Sequence, residues 1–319
     1  MPSENQNNYT ISKTLFAVNV VIVVSIVLMI FVIYGSPNQL PKDVWTKPKE
    51  SQPSSFEQVR LEAKSAYVFD VSGNKVLFSK GEFIQLPLAS ITKLMTVLLA
   101  SEMLPEDYHV TIKKEFMGED GGSGLFGGEI WKLKNLIDFS LVVSSNGGAR
   151  AIASVAGAFD LKNQNYTLGR KNFIAKMNLR AQDLGLKQTY YINESGLDEG
   201  NSSGGYGSAI DVEKLMEYIV VNKPKLLEAT KYPMLDISSF DKVHKAKNTN
   251  TETNTMPGLL ASKTGYTDLA GGNLVVAFDS SVGKVIIVVV LGSTEQGRFS
   301  DVASLVKASL DYMQVNNKK

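Results

Sequence analysis

A run of twenty almost entirely apolar residues near the N-terminus constrains this chain more than any other feature of its sequence. No residue from 14 to 41 is charged, and residues 15–34 read LFAVNVVIVVSIVLMIFVIY. A helix of this length and polarity matches the hydrocarbon thickness of a bilayer and is atypical of a buried core helix. The following residues, GSPNQ, fit a cleavage site poorly. We therefore expect an uncleaved transmembrane anchor and not a removed signal peptide.

The anchor divides the chain into four predicted parts. Residues 1–14 form an N-terminal tail, and residues 15–34 form the anchor. Residues 35–61 are rich in Pro, Ser and Lys, which is typical of a linker. Residues 62–319 form one folded domain, and we expect no second domain after its last helix.

The composition of the 319-residue chain narrows the class of protein. A hydrophobic content of 44% permits a sizeable core, and a net charge of +1 gives no reason to expect a nucleic-acid partner. The chain has no cysteine, which excludes disulfides, thiolate metal sites and cysteine catalysis and is compatible with a protein of the cell envelope.

Periodicity separates strands at the two ends of the domain from helices in its middle. Two β-rich runs around SGNK predict a hairpin over residues 65–80, and residues 273–281 and 284–293 predict two further strands. Helical spacing of apolar residues predicts helices that begin at Ser90 and cover residues 133–143, 149–156, 173–184, 211–221 and 301–313. The sequence thus predicts an α+β fold, in which an antiparallel sheet built from both ends of the soluble chain is flanked by helices and a helical lobe is inserted between those ends.

A glycine-rich segment, MGEDGGSGLFGG at residues 117–128, contains G-x-G-x-x-G at Gly122, Gly124 and Gly127. No predicted strand leads into it and no βαβ unit surrounds it. We therefore interpret the segment as a flexible loop and not as a dinucleotide site.

The chain has only two histidines, His109 and His244. Neither stands in the sequence context of a nucleophile elbow or a zinc site, so we interpret both as surface or core residues. We expect no metal and no cofactor.

The segment PLASITKLMT, residues 87–96, carries a lysine on an otherwise apolar helical face. Ser90 and Lys93 lie about one helical turn apart on that face. Burial lowers the pKa of a lysine, and a neutral amine beside a serine hydroxyl can activate it as a nucleophile. The N–H groups at a helix start offer donors to a developing oxyanion. Taken alone, however, the pair is more typical of a helix cap followed by a surface lysine.

Two further motifs follow in the chain. LVVSSNGGAR places Ser144 and Asn146 after an apolar helix, and LASKTGYT places Lys263, Thr264 and Gly265 after a short apolar run. Each alone is an ordinary turn or strand end. In the order S-x-x-K, S-x-N, K-T-G they form the signature of penicillin-binding proteins and class A β-lactamases. The chain therefore resembles the serine D-alanyl-D-alanine carboxypeptidases, which are low-molecular-mass penicillin-binding proteins of the serine β-lactamase-like superfamily.

The resemblance extends over roughly residues 60–315 and implies a β-lactamase/transpeptidase-like fold. It includes FIAKMNLRAQDLGLKQTYYINESGLD at residues 173–198, NTN at residues 248–250 and the sequence that follows K-T-G. Two features depart from the family. Glu194 stands where the family often has Pro, and FDLKNQNYTLGRKN predicts a longer loop than expected before the next helix.

The resemblance implies three catalytic residues and a substrate-binding residue, Asn146, beside them. Ser90 would attack the carbonyl carbon of the penultimate D-alanine and form an acyl-enzyme, and Lys93 would accept its proton. Ser144 would relay a proton to the leaving D-alanine. Asn146 would hold Lys93 and the substrate amide.

The K-T-G strand would bind the substrate. Lys263 would supply positive potential, which holds down the pKa of the neighbouring lysine and attracts the substrate carboxylate, and Thr264 would hydrogen-bond that carboxylate. Gly265 would let the peptide approach the strand edge closely. The backbone N–H groups of Ser90 and Tyr266 would form the oxyanion hole.

The implied partners are peptidoglycan stem peptides, β-lactams and the membrane, with no nucleic acid. A wall substrate implies a single-pass protein of the cell membrane whose catalytic domain is extracytoplasmic. The distribution of lysines indicates the opposite orientation, because Lys13 alone precedes the anchor whereas Lys42, Lys47 and Lys49 follow it. We nevertheless expect the catalytic domain to lie outside the cytoplasm, because the expected substrate exists only in the cell wall.

Three alternatives remain open from the sequence. A D,D-endopeptidase would cut cross-links with the same residues. A β-lactamase would need a deacylating glutamate, for which Glu194 is the candidate. A non-catalytic β-lactam sensor or wall-binding module would keep the pocket without turnover.

Overall fold

The computed structural model describes residues 53–117 and 124–316, which belong to one compact unit beginning at Gln52. The predicted anchor at residues 15–34 and part of the glycine-rich loop lie outside these residues. Every helix within the described ranges is too short or too polar to cross a bilayer.

A five-stranded antiparallel sheet forms the frame, in the order β10-β11-β12-β1-β2. It joins an N-terminal hairpin to three C-terminal strands through the pairing of β1 with β12, in which Ser65 lies opposite Leu291. The predicted sheet built from both ends of the soluble chain is therefore confirmed. The strands are β1 Ser65–Asp70, β2 Lys75–Lys80, β3 Leu86–Pro87, β4 His109–Thr111, β5 Ile130–Lys132, β6 Tyr190–Tyr191, β7 Gly205–Gly207, β8 Met234–Ser238, β9 Val243–Lys247, β10 Leu259–Thr267, β11 Gly271–Asp279 and β12 Val285–Ser293.

The helical lobe is inserted between β2 and β10, as predicted. Its helices are α1 Lys93–Met103, α2 Leu133–Val142, α3 Asn146–Asp160, α4 Tyr166–Asp183 and α5 Ala209–Asn222, and α6 Gly297–Asn316 closes the fold. Only residues 161–165 separate α3 from α4, so the expectation of a long loop there was wrong. The helices extend into the polar segment that sequence periodicity assigned to the loop, and Asn165 caps α4 by accepting a hydrogen bond from Leu168 N.

Two hydrophobic cores lie on opposite faces of the sheet, because side chains alternate along a strand. In β12, Ile287, Val289 and Leu291 pack against the helical lobe. Their neighbours Val288 and Val290 pack on the other face, in the core that includes residues of α6. Burial of both faces explains the unbroken apolar run of β12.

Residues 53–61, which the sequence assigned to the linker, contact the second core. Phe56 lies in a short 3₁₀-helix, Ser54–Phe56, and stacks on Phe78 with ring centroids 5.7 Å apart. The Asp301 carboxylate on α6 accepts hydrogen bonds from the backbone N–H groups of Glu62 and Ala63 at 3.0 and 2.9 Å.

Candidate active site

Ser90 lies in a tight turn between β3 and α1. The α-helix begins at Lys93 and not at Ser90 as predicted, because a 3₁₀-helix, Ala89–Thr92, precedes it. Ala89 has φ 48°, a left-handed backbone that L-residues adopt only under constraint. A Cβ added to Gly196 would lie 1.8 Å from the carbonyl oxygen of Ala89, so this turn is packed against the backbone of the loop between β6 and β7.

Lys93 is buried and contacts three oxygen atoms. Its Nζ lies 2.8 Å from each of Ser90 Oγ, Asn146 Oδ1 and the backbone carbonyl oxygen of Ser195. Burial lowers the pKa of Lys93 to about 7, and the carboxylate of Glu194 opposes this shift. The neutral amine is therefore accessible near pH 7.

Ser144 lies in the turn between α2 and α3 and has φ 59°. The next residue, Ser145, caps α3 by accepting a hydrogen bond from Gly148 N. Ser144 Oγ accepts a hydrogen bond of 2.9 Å from Lys263 Nζ. The S-x-N and K-T-G motifs are thus joined directly by their side chains.

Lys263 is buried within β10, in the interior of the strand and not at its end as the sequence suggested. Its Nζ also donates to the carbonyl oxygen of Thr264 at 2.8 Å. Burial lowers the pKa of Lys263 well below its usual range, and the cations Lys93 and Arg298 lower it further. Burial and the neighbouring cations therefore disfavour the charged form of Lys263, whose Nζ remains in contact with Ser144.

The strand β10 forms one edge of the sheet and runs past the Ser90 turn. A Cβ added to Gly265 would lie 2.9 Å from Leu88 O and 3.2 Å from Ser90 N, so glycine is required by the contact between the strand and this turn. Tyr266 follows and is 44% exposed. The N–H group of Ser90 and the strand that carries Tyr266 are therefore close neighbours.

Two supporting residues have no signal in the motifs. Arg298, at the start of α6, donates from Nη1 to the carbonyl oxygen of Gly265 at 3.0 Å. Asn273 on β11 donates from Nδ2 to Pro87 O at 3.0 Å and so ties the sheet to the segment before Ser90. Both act across large sequence separations, which local patterns do not reveal.

Glu194 is fully buried and pairs with arginines of the helical lobe. Its carboxylate lies 2.7 Å from Arg170 Nε and 3.6 Å from Arg150 Nε. Its backbone carbonyl accepts a hydrogen bond of 2.6 Å from Thr96 Oγ1 on α1. These contacts indicate a structural ion pair that supports the loop beside Lys93.

The two histidines are outside the three motifs, and the contacts described below are with residues that belong to none of them. His109 is exposed and its ring lies 4.7 Å from that of Phe240. His244 is buried, with Nε2 2.9 Å from Glu129 Oε1. No cluster of three or more potential metal ligands occurs among residues 53–117 and 124–316.

Comparison with known proteins identifies relatives over most of the chain. A sequence profile of the family described as D-alanyl-D-alanine carboxypeptidase matches residues 49–295. The chain is 31% identical over 252 residues to D-alanyl-D-alanine carboxypeptidase DacF of Bacillus subtilis, covering 77% of this chain and 61% of that protein. It is 30% identical over 259 residues to a D-alanyl-D-alanine endopeptidase of Pseudomonas aeruginosa, covering 78% and 77%. The chain thus spans less than two thirds of the length of the first of these relatives.

Solved structures show the same fold. Penicillin-Binding Protein D2 from Listeria monocytogenes, in its cefotaxime-bound form, superposes with a TM-score of 0.68 at 26% identity over 81% of this chain and 99% of that chain. A putative penicillin-binding protein homolog from Mycobacterium tuberculosis has a TM-score of 0.70 at 23% identity, covering 82% and 96%. The described residues therefore adopt the α+β fold of penicillin-binding proteins.

Proposed function

Because the chain belongs to the D-alanyl-D-alanine carboxypeptidase family of serine peptidases, we propose that it removes the terminal D-alanine from peptidoglycan stem peptides. The observation that carries the proposal is the set of contacts made by Lys93. Asn146 Oδ1 and Ser195 O can only accept hydrogen bonds, so they take the two N–H groups of a neutral amine. The remaining lone pair then faces Ser90 Oγ and can accept its proton.

The proposed acylation step follows from these positions. Ser90 Oγ forms a bond to the carbonyl carbon of the penultimate D-alanine, and its proton moves to Lys93 Nζ. The C–N bond to the terminal D-alanine then breaks, and Ser144 relays the proton taken up by Lys93 to the departing amine, which leaves Lys93 neutral again. The N–H groups of Ser90 and Tyr266 stabilise the oxyanion. A water molecule subsequently hydrolyses the ester and restores Ser90.

The substrate is proposed to lie along the edge of β10 as an added strand. Its C-terminal carboxylate would meet the amine of Lys263, whose charged form the bound anion would favour, and the hydroxyl group of Thr264. β-Lactams carry a carboxylate and a strained amide with similar spacing, and the Listeria relative has been solved with cefotaxime and with ampicillin. We therefore propose that penicillins acylate Ser90.

Cross-link cleavage is the second candidate function, because the Pseudomonas relative is named an endopeptidase. Product analysis on purified stem pentapeptides and cross-linked dimers tests both functions, with Ser90→Ala as the control. Release of free D-alanine from pentapeptides supports the proposal. Cleavage of dimers alone would assign the chain as an endopeptidase, and activity that survives in Ser90→Ala would refute the proposed nucleophile.

We also propose that residues 15–34 anchor the protein in the cell membrane with its catalytic domain outside the cytoplasm. The length of this apolar run and the location of a wall substrate support the proposal. Protease added to intact spheroplasts should digest the domain. A protected domain would refute the orientation and would agree with the distribution of lysines.

A further inference from the structure

A threonine outside the three motifs lies against the proposed substrate-binding strand. The Oγ1 atoms of Thr249 and Thr264 are 2.6 Å apart, a distance typical of an O–H···O hydrogen bond. We infer that Thr249 is a positioning residue that donates its hydroxyl proton to Thr264, so that Thr264 donates its own proton to the C-terminal carboxylate of the substrate. The inference rests on the proposed function and adds a residue to its carboxylate-binding site.

The number of available protons favours this direction. A threonine hydroxyl has one proton to donate and two lone pairs that accept. If Thr264 donated to Thr249, only lone pairs of Thr264 would face the negatively charged carboxylate, and the contact would be repulsive. If Thr249 donates, the proton of Thr264 is free for the carboxylate, and the two bonds in series polarise each other. A bound carboxylate therefore selects Thr249 as the donor.

The backbone around Thr249 is fixed, which is a requirement for a positioning residue. Thr249 N donates to Val142 O, at the end of α2, at 3.1 Å. The preceding Asn248 donates from Nδ2 to Thr230 O at 2.9 Å, and Ser262 Oγ on β10 donates to the same carbonyl at 3.1 Å. Through these bonds the segment that carries Thr249 is tied to β10 and also to the helix that precedes Ser144.

The environment of the pair suits a role in binding. Thr264 is buried, with 4% of its surface exposed, whereas Thr249 is only partly buried. A buried hydroxyl without a fixed donor would rotate between several acceptors, and ordering it would lower affinity. The contact with Thr249 supplies that order before the substrate arrives.

Two acylating reagents separate this role from a purely structural one. Cefotaxime carries a carboxylate, whereas an alkyl fluorophosphonate phosphonylates an activated serine without one. In the purified full-length chain, Thr249→Val should slow acylation by cefotaxime by about three- to tenfold, the range expected for loss of one hydrogen bond. It should leave capture by the fluorophosphonate unchanged. Thr249→Ser keeps the hydroxyl group and should restore the rate with cefotaxime.

A double-variant cycle assigns the effect to Thr264. In a Thr264→Val background, Thr249→Val should cause no further loss with cefotaxime, because the acceptor of its proton is gone. On an acyl-D-Ala-D-Ala peptide, Thr249→Val should raise KM more than it lowers kcat. Thermal unfolding of each variant checks that the fold is intact.

Three results would overturn the inference. The first is an equal loss of rate with both reagents in Thr249→Val, which would indicate a structural role. The second is a loss of rate with cefotaxime that is as large when Thr249→Val is added to Thr264→Val as when it is made in the wild type. The third is a wild-type rate with cefotaxime in Thr249→Val. If the wild type releases no D-alanine from stem peptides, the proposed function fails, yet the ratio of the two acylation rates still decides the role of Thr249. A wild type that reacts with neither reagent would overturn both proposals.

Discussion

The side-chain nitrogen of Lys93 lies 2.8 Å from the hydroxyl oxygen of Ser90, three residues earlier in the chain. Lys93 is 1% exposed, and burial alone is sufficient to bring its pKa to about 7. Its Nζ contacts oxygen atoms of Ser90, Asn146 and Ser195. None of these three atoms belongs to a carboxylate, which would stabilise the charged form of the amine. In the proposed function, this pair therefore supplies a nucleophile and a base that is available near neutral pH.

Replacement of Lys93 should abolish acylation by penicillin. Lys93→Ala should lose several powers of ten in rate, more than the roughly 10²–10⁴-fold of general-base catalysis, because the nucleophile is no longer activated. Lys93→Arg should fail almost as severely, since a guanidinium stays protonated. Stopped-flow acylation measures both variants, and a near-normal rate in Lys93→Arg would refute the role of Lys93 as proton acceptor.

The rate of Ser90 capture by a fluorophosphonate should rise with pH and level off above about pH 7. The sign follows from the reactive form, because the neutral amine of Lys93 accumulates as pH rises through its pKa of about 7. Burial is the cause that lowers the pKa of Lys93, so the rise should stay at the same pH in Lys263→Gln, which removes a second buried amine whose own pKa is lowered. A rise that moves to higher pH in Lys263→Gln would show that a charged Lys263 also holds down the pKa of Lys93.

Glu194→Gln should move the rise of the same pH–rate profile to lower pH. The Glu194 carboxylate raises the pKa of Lys93. Replacing this carboxylate with a neutral amide should lower that pKa, so acylation should reach its full rate at a lower pH. Loss of the ion pair with Arg170 should also lower the free energy of unfolding by about 1–3 kcal/mol, less than for a fully buried pair because Arg170 is partly exposed. Urea denaturation measures this loss.

The same Glu194→Gln variant distinguishes a peptidase from a β-lactamase. If Glu194 only supports the fold, hydrolysis of the penicilloyl-enzyme should be as slow in the variant as in the wild type. Rapid penicillin turnover by the wild type that disappears in Glu194→Gln would instead assign Glu194 as the deacylating base.

Gly196→Ala should disrupt the nucleophile turn, and Gly200→Ala is its matched control. Both glycines have positive φ, at 80° and 62°, so each substitution should cost about 1–2 kcal/mol of backbone strain. Only the Cβ at Gly196 would collide with Ala89 O, at 1.8 Å, whereas the Cβ at Gly200 meets nothing within 4 Å. Acylation should therefore fall by about 10²-fold in Gly196→Ala and stay near wild type in Gly200→Ala. Equal rates in the two variants would show that the contact with Ala89 does not position Ser90.

The fold was predictable where local periodicity carries the information. The β1–β2 hairpin, the strands β11 and β12 and the helix α2 follow from β-rich runs or from helical spacing of apolar residues, and each agrees with the structure to within a few residues. The sheet of β3, β7 and β6 was missed because its strands are two or three residues long. Their pairing depends on contacts between segments far apart in the chain, such as Leu86 opposite Gly207.

Residues of the candidate site were predictable only where they belong to one of the recognisable sequence motifs. The S-x-x-K, S-x-N and K-T-G motifs supply residues that the fold brings into contact, as Lys93 with Asn146 and Lys263 with Ser144. Thr249 lies in the NTN segment that the resemblance includes, but no role could be assigned to it from the sequence, because its contact with Thr264 depends on the path of the chain between β9 and β10. The 3₁₀ turn at Ser90 was also missed, since the apolar spacing of α1 continues through it.

Mass spectrometry of the penicillin-treated protein tests the central claim most directly, which is that Ser90 is the nucleophile. Peptide mapping should find one stable adduct, on the peptide that contains Ser90, because the opened β-lactam ring keeps its leaving nitrogen tethered and blocks the approach of water. Ser90→Ala should carry no adduct, and Ser144→Ala should still be acylated at Ser90, more slowly. An adduct on a peptide without Ser90, or one that survives in Ser90→Ala, would contradict the assignment of Ser90 and the mechanism built on it.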